Sequence, residues 1–220
     1  MTKNSNKNRF VVIDHTPSTN TWIKEHPEFH RPYFSLRARE QTQGRGQYSR
    51  SWFSGGRDEN LAFSIVLPIQ RADLSCAPLI LALVLHYFLS QYIETKIKWP
   101  NDILCHGKKI AGILCETIPH NHSLILAGIG VNVNTKKFPT ELTNTTSLAL
   151  EGATPPLEQL WRQCYRSIVR AWHKANFPLS VTLIRDYNDA AYTYVKRPEI
   201  SSSPLTFQTL LPNGSALFQS

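Results

Sequence analysis

The chain has 220 residues, 41% of them hydrophobic and 18% charged, with 24 Lys and Arg against 16 Asp and Glu for a formal net charge of +8. That size and apolar content support one main core with at most a small appendage, and they exclude general disorder. The longest apolar run, APLILALVLHYFL, is too short to span a bilayer and is broken by His86, so no membrane association is expected.

In chain order, residues 1–9 are polar and basic, lack the apolar stretch of a secretory signal, and are expected to form a disordered tail on a cytoplasmic protein. FVVIDHT, residues 10–16, is β-branched and predicts a strand. PSTNTWIKEH predicts a turn into a helix with Ser18 or Thr19 as N-cap. Residues 33–40 alternate apolar and polar positions, as a half-buried strand does. A glycine- and arginine-rich loop over 41–58 precedes LAFSIVLP, a core strand ending at Pro68. Asp73 or Ser75 can cap a long helix that runs to about Tyr92.

Three β-rich pieces follow, TKIKWP, DILCHGKKIAGILCETI and HSLILAGIGVNVN, with turns at 106–108 and 119–122. A polar stretch over 135–154 leads to a helix over 157–175 whose apolar face runs through Leu160, Tyr165, Ile168 and Trp172. Residues 181–195 predict another helix. Beyond Pro198 the pattern returns to strands over 204–211 and 215–219, joined at Asn213-Gly214. Strands joined by tight turns, without strict βαβ alternation, predict an α+β fold with a mixed or antiparallel sheet flanked by helices. One unit over 10–195 and a short C-terminal β segment over 196–220 are expected.

Gly44-Arg45-Gly46 can present consecutive backbone N–H groups to an anion, and Arg45 and Arg50 add forked charge suited to carboxylate or phosphate. With Trp52 in the same loop, a lid that orders over an anion is one reading, and an exposed turn with two solvated arginines is the other. The spacing matches neither the dinucleotide nor the Walker motif. In residues 97–116, Pro100 ends a strand and Asn101 and Asp102 occupy a turn. Lys109 and Gly112 lie in the next strand, where a glycine often marks close approach by a ligand. Asp102 and Lys109 could also form a plain surface ion pair. Gly128 and Gly130 alternate, so both face one side, and Asn132 follows on that side.

The net charge asks for an anionic partner, either nucleotide phosphates or an acidic protein. The basic residues are dispersed and no helix-turn-helix fits ahead of Phe10, so DNA binding is not expected. Cys76, Cys105, Cys115 and Cys164 are scattered without CxxC spacing, and His120 and His122 fit a solvated turn, so no protein-only metal site is expected.

Taken jointly and in order, Ser18-Thr19-Asn20, Glu40 to Gly46, Arg50-Ser51-Trp52, Lys98 to Asp102, Lys109 to Leu114 and Gly128 to Asn132 resemble the biotin protein ligases. The resemblance covers about 10–134. It implies a core like those of biotin–lipoate ligases and class II aminoacyl-tRNA synthetases, with the family's SH3-like C-terminal barrel reduced to a short β segment. It implies that biotin is activated with ATP and Mg²⁺ to biotinyl-AMP and passed to a lysine of a biotin carboxyl carrier protein. Arg45, Lys109 and Asp102 are then the catalytic candidates. Biotin would meet Ser18, Thr19, Asn20, Gln41, Gly44, Arg45, Gly46, Trp52, Lys109, Gly112, Gly128 and Gly130. ATP and its metal would meet Arg50, Trp52, Asn101, Asp102 and Asn132. Gln47 departs from the family, where an arginine commonly follows the Gly-Arg-Gly. A lipoate or octanoate ligase or transferase, or a weakly catalytic biotin-binding protein, stays as the alternative, and homodimerisation is left open.

Overall fold

The computed structural model describes residues 9–68, 74–175, 179–195 and 205–219. The tail over 1–8 and the Asp73 cap lie outside the described residues. In chain order the elements are β1 (Phe10–Thr16), α1 (Thr19–Glu25), β2 (Ser35–Gln41), β3 (Leu61–Pro68), α2 (Ala77–Leu89), β4 (Lys96–Lys98), β5 (Asp102–Cys105), β6 (Lys108–Ile118), β7 (Asn121–Val131), α3 (Leu157–Lys174), α4 (Val181–Ala190), β8 (Tyr194–Val195), β9 (Leu205–Leu210) and β10 (Ala216–Gln219). Seven strands form one sheet in the order β1-β2-β3-β7-β6-β5-β4. β1 and β2 are parallel and the other neighbours antiparallel, so the sheet is mixed, as expected.

Strand alternation assigns each side chain to a face. Phe63, Ile65 and Leu67 of β3 and Ile125, Ala127, Ile129 and Val131 of β7 enter the larger core, shared with α2, α3 and α4. Val66, Leu124 and Leu126 take the other face, with Leu36, Ile118 and Ile23 of α1, in a smaller core. Farther along the same strands that second face carries Ser64, Gly112, Gly128 and Gly130, with Ser64 paired to Gly128 and Gly112 to Gly130. Apolar bulk gives way there to small residues, and the sheet floor is open.

α2 is apolar all round because it is enclosed: ten of its thirteen residues are buried, which a helix lying between sheet and helices requires. α3 is amphipathic and buries the expected Leu160, Tyr165, Ile168 and Trp172 together with Trp161. Its aromatic donors reach the sheet. Trp161 Nε1 donates to Ser35 Oγ (3.0 Å), Tyr165 OH to the Tyr33 carbonyl (2.8 Å) and Trp172 Nε1 to the Pro68 carbonyl (2.8 Å). No helix among the described residues is long and apolar enough to cross a membrane.

Two helices stop short of their expected ends. α2 ends at Leu89 rather than Tyr92, where a tight turn with Tyr92 N–H donating to the Leu89 carbonyl (2.9 Å) sends the chain back towards β4. α4 ends at Ala190 rather than at 195. Tyr192 N–H donates to the Ile97 carbonyl on β4 (2.7 Å), and β8 then pairs with β9. The free edge of the sheet offers these residues ladder partners that outweigh their helical preference. β8, β9 and β10 form a three-stranded sheet whose Phe207, Leu210 and Phe218 pack into the larger core, and Gly214 sits in the expected turn with a φ of +85°.

Candidate active site

The open sheet floor beyond the N-terminus of α1 becomes a cleft of about 240 Å³. Ser18 is the N-cap residue of α1, but its hydroxyl caps nothing and instead lines the cleft. The capping role falls to Gln41 at the end of β2, whose Oε1 accepts from Thr19 N–H (2.8 Å) and Thr19 Oγ1 (3.1 Å). This satisfies one of the donors that a helix start leaves open. Gln41 Nε2 donates in turn to Ser54 Oγ (3.0 Å). Ser64 Oγ, fully buried on β3, lies 2.7 Å from Thr19 Oγ1 and 2.6 Å from Asn20 Oδ1. Thr19, Asn20, Gln41 and Ser64 are thus joined in one polar network.

Glu116, which motif reasoning did not single out, supports the cleft from just outside its lining. Its carboxylate accepts from Asn20 Nδ2 (2.8 Å) and Lys24 Nζ (2.6 Å), and Arg45 Nη2 lies 3.7 Å away. Burial by itself would raise its pKa, but the hydrogen bonds from Lys24 and Asn20 and the charges of Lys24 and Arg45 outweigh that and hold it below the ordinary value. The signal was the strand parity: Gly112, Leu114 and Glu116 share a face of β6.

The glycine-arginine loop is two structures in one. From 53 to 60 it is pinned to the core. Arg37 and Arg39 of β2 both hold Asp58, the latter at 2.6 Å, and Asn60 Nδ2 donates to Thr135 Oγ1 (2.7 Å). From 45 to 51 it is a small hairpin, with Arg45 bridged to Ser51 and Gly46 N–H donating to the Arg50 carbonyl (2.7 Å). This corrects the expected row of free amides at 44–46, because the Gly46 amide serves the hairpin. Gly44 is absent from the cleft wall and packs the hairpin stem, where a Cβ would lie 2.5 Å from the Trp52 carbonyl.

Trp52 swings back from that hairpin onto the sheet floor. A Cβ on Gly130 would meet its indole at 2.4 Å, and one on Gly112 would meet it at 3.1 Å. Gly128 makes room for something else, the Asn20 side chain, whose Oδ1 a Cβ would approach to 2.7 Å. So the three glycines expected to leave space for a ligand do create space, and protein side chains use part of it.

The opposite wall comes from the β4–β5 turn. Asn101 is buried and its Nδ2 donates to the Ile113 carbonyl (2.7 Å), fixing the turn against β6. Asp102 begins β5 and its Oδ1 lies 2.7 Å from Lys109 Nζ, which also stands 5.3 Å from the centre of the Trp52 ring. Arg50 and Gln47 line the mouth beside Tyr48, which is 77% exposed at the hairpin tip. Thus Arg45, Lys109 and Asp102 converge on one cleft with Ser18, Thr19, Asn20, Gln41, Gly46, Trp52, Gly112, Gly128, Gly130, Arg50 and Asn101. Asn132 does not join them. β7 has ended at Val131, and Asn132 Nδ2 donates to the Thr146 carbonyl (3.0 Å), strapping the 144–148 segment to the sheet.

The model of the Biotin/lipoate A/B protein ligase family matches residues 12–134, more than half of the chain and the whole of this cleft. The chain belongs to that family. The "Bifunctional ligase/repressor BirA" of Bacillus spizizenii is 38% identical over 121 residues, 51% of this chain and 37% of that protein. The "Biotin--[acetyl-CoA-carboxylase] ligase" of Mycobacterium tuberculosis is 28% identical over 175 residues, 75% of this chain and 63% of its own length. This chain therefore spans less than two thirds of either relative. Among solved structures, the biotin protein ligase from Aquifex aeolicus in complex with biotin and ATP superposes with a TM-score of 0.81 at 24% identity, covering 97% of this chain and 92% of that one. The mixed α+β core is thus the fold of that ligase.

Proposed function

We propose that this family member is a biotin protein ligase, carried by one observation: Lys109 and Arg45 flank a single glycine-floored cleft whose inner end is the Thr19–Asn20–Gln41 polar network. The substrates are biotin and ATP. Biotin's carboxylate oxygen attacks the α-phosphorus, the new C–O–P linkage forms, and pyrophosphate leaves. A carrier lysine amine then attacks the acyl carbon, an amide forms, and AMP leaves. The first step brings two anions together, so the cations of Lys109 and Arg45 lower its barrier by facing the charge that builds up. The polar network supplies donors and acceptors for a neutral ureido ring, and Trp52 with the glycine floor supplies the apolar wall for a thiophane ring and alkyl chain.

The 45–51 hairpin closes over the acyl-adenylate and keeps water from it until the carrier arrives. Asp102 is the carboxylate at the cleft that can take the proton from the incoming lysine. Magnesium accompanies ATP, and Asp102 and Asn101 offer the oxygen donors that this ion prefers. The acceptor is a biotin carboxyl carrier domain, and the reaction belongs to the cytoplasm.

The test uses purified protein, ATP, biotin and an acetyl-CoA carboxylase carrier domain, with streptavidin detection of the carrier and release of pyrophosphate as readouts. Replacing biotin with lipoate separates the two branches of the family. Lys109→Ala is expected to lose about 10²–10³-fold in pyrophosphate release while its circular dichroism is unchanged. Wild-type adenylate formation in that variant would remove Lys109 from the chemistry.

A further inference from the structure

The β5–β6 turn carries a second set of donor atoms outside the cleft. Cys105 ends β5, His106 and Gly107 make the turn with φ of +47° and +78°, and Glu151 arrives from the turn that follows Leu148. One ligand atom from each of Cys105, His106 and Glu151 lies within 4.8 Å of the others, and His106 Nε2 is 3.9 Å from Glu151 Oε2. The second oxygen of Glu151 accepts from Thr146 Oγ1 at 2.6 Å, a bond that fixes the direction of the carboxylate. Cys105 is buried, Glu151 is half-buried and His106 is exposed, so the group is closed on the protein side and open to solvent. Lys108 is the nearby cation, and Glu94 adds a second negative charge.

A thiol held against a carboxylate gains little by itself. Burial and the charges of Glu151 and Glu94 push the Cys105 thiol up to about 11. A divalent cation reverses that balance, since it takes the thiolate and the carboxylate as ligands at once. Sulfur, imidazole and carboxylate together suit a borderline-soft ion rather than magnesium or calcium, which take oxygen. Tetrahedral zinc has Zn–S of about 2.3 Å and Zn–N and Zn–O of about 2.0–2.2 Å, which sets its ligand atoms about 3.3–3.8 Å apart. The spacing of the three side chains needs only a small contraction to reach that.

We infer that Cys105, His106 and Glu151 form a three-ligand site for a divalent cation of the zinc type, with solvent as the fourth ligand. On binding, the Cys105 proton goes to solvent and the metal–sulfur bond replaces it, with no redox change. The ion ties the β5–β6 turn to the 144–151 segment. That segment already brackets the backbone of Lys109, whose N–H donates to the Asn144 carbonyl (2.8 Å) and whose carbonyl accepts from Thr146 N–H (2.9 Å). The site therefore staples the start of the strand that presents Lys109. Cysteine spacing gave no hint of it, because the third ligand comes from a distant part of the chain.

The test titrates untagged, metal-free protein with Co²⁺ and then displaces it with Zn²⁺, with neither biotin nor ATP present, so the outcome is independent of the ligase reading. One equivalent of cobalt is expected to bind with a thiolate-to-cobalt charge-transfer band, and zinc is expected to abolish the band and raise the melting temperature. Cys105→Ser should lose the band. His106→Asn keeps a residue that tolerates the left-handed turn but removes the imidazole, and should weaken binding at least tenfold. Because His106 is exposed, that variant decides the matter even if Cys105→Ser fails to fold. Three results each overturn the site: no stoichiometric cobalt, binding without a thiolate band, or wild-type affinity in His106→Asn.

Discussion

On β6, Gly112, Leu114 and Glu116 share one face of the strand, and the last of them is a carboxylate close to α1. It accepts from Asn20 and Lys24 and stands beside Arg45, so it positions two cleft residues, Asn20 and Arg45, from the same strand face just beyond the cleft lining. Its folded pKa lies below the ordinary value, so its contribution to stability is full above the unfolded value near 4.5 and is lost as pH falls through the folded one. Glu116→Gln is expected to cost about 1–2 kcal/mol near neutral pH, with the gap to wild type narrowing as the solution is acidified below the ordinary carboxylate range. Urea denaturation at neutral and acid pH checks this. An equal gap at both would assign the loss to packing instead of charge. That Arg45, Asp102 and Lys109 meet at one cleft was legible because each stands in a short motif of the linear sequence. Glu116 was hidden because its importance is a matter of what α1 brings to it.

The 45–51 hairpin meets the body of the protein through the Trp52 indole on the Gly112–Gly130 floor and Arg45 beside Glu116, while 53–60 is tied down by Asp58 and Asn60. Gly130→Ala would put a methyl group into the indole, and the clash is relieved by moving a side chain rather than a strand. Displacing it costs the hairpin about 1–2 kcal/mol of buried aromatic surface. Trypsin should then cut after Arg45 and Arg50 about tenfold faster, with global stability little changed. Unchanged cleavage would mean that Trp52 does not hold the hairpin down. At this scale most strands and the α3 face were readable from periodicity. The overruns of α2 and α4 were not, since both are ended by sheet-edge hydrogen bonds or chain reversal and not by a local breaker.

The two sheets share one apolar interior. Phe207, Leu210 and Phe218 of the small sheet pack into the larger core beside α4, Phe207 lies 6.4 Å from Tyr187, and Phe218 meets Trp99 at the cleft wall at 5.8 Å. Unfolding in urea is expected to show one transition, coincident by far-ultraviolet circular dichroism and tryptophan fluorescence. Phe207→Ala should lower stability by about 3–5 kcal/mol and shift both signals together. A separate early transition would make the C-terminal strands an independent unit.

Local chemistry in the sequence determined the strand and helix types, the all-round apolar α2 and the family motifs, because propensity, period and residue order are properties of a linear chain. Only the tertiary structure decided that the Gly46 amide serves the hairpin, that Gly128 houses Asn20 while Gly130 houses Trp52, and that Glu151 reaches Cys105 and His106. Each of those depends on the distance between atoms far apart along the backbone, which only the packing of the sheet and its helices sets.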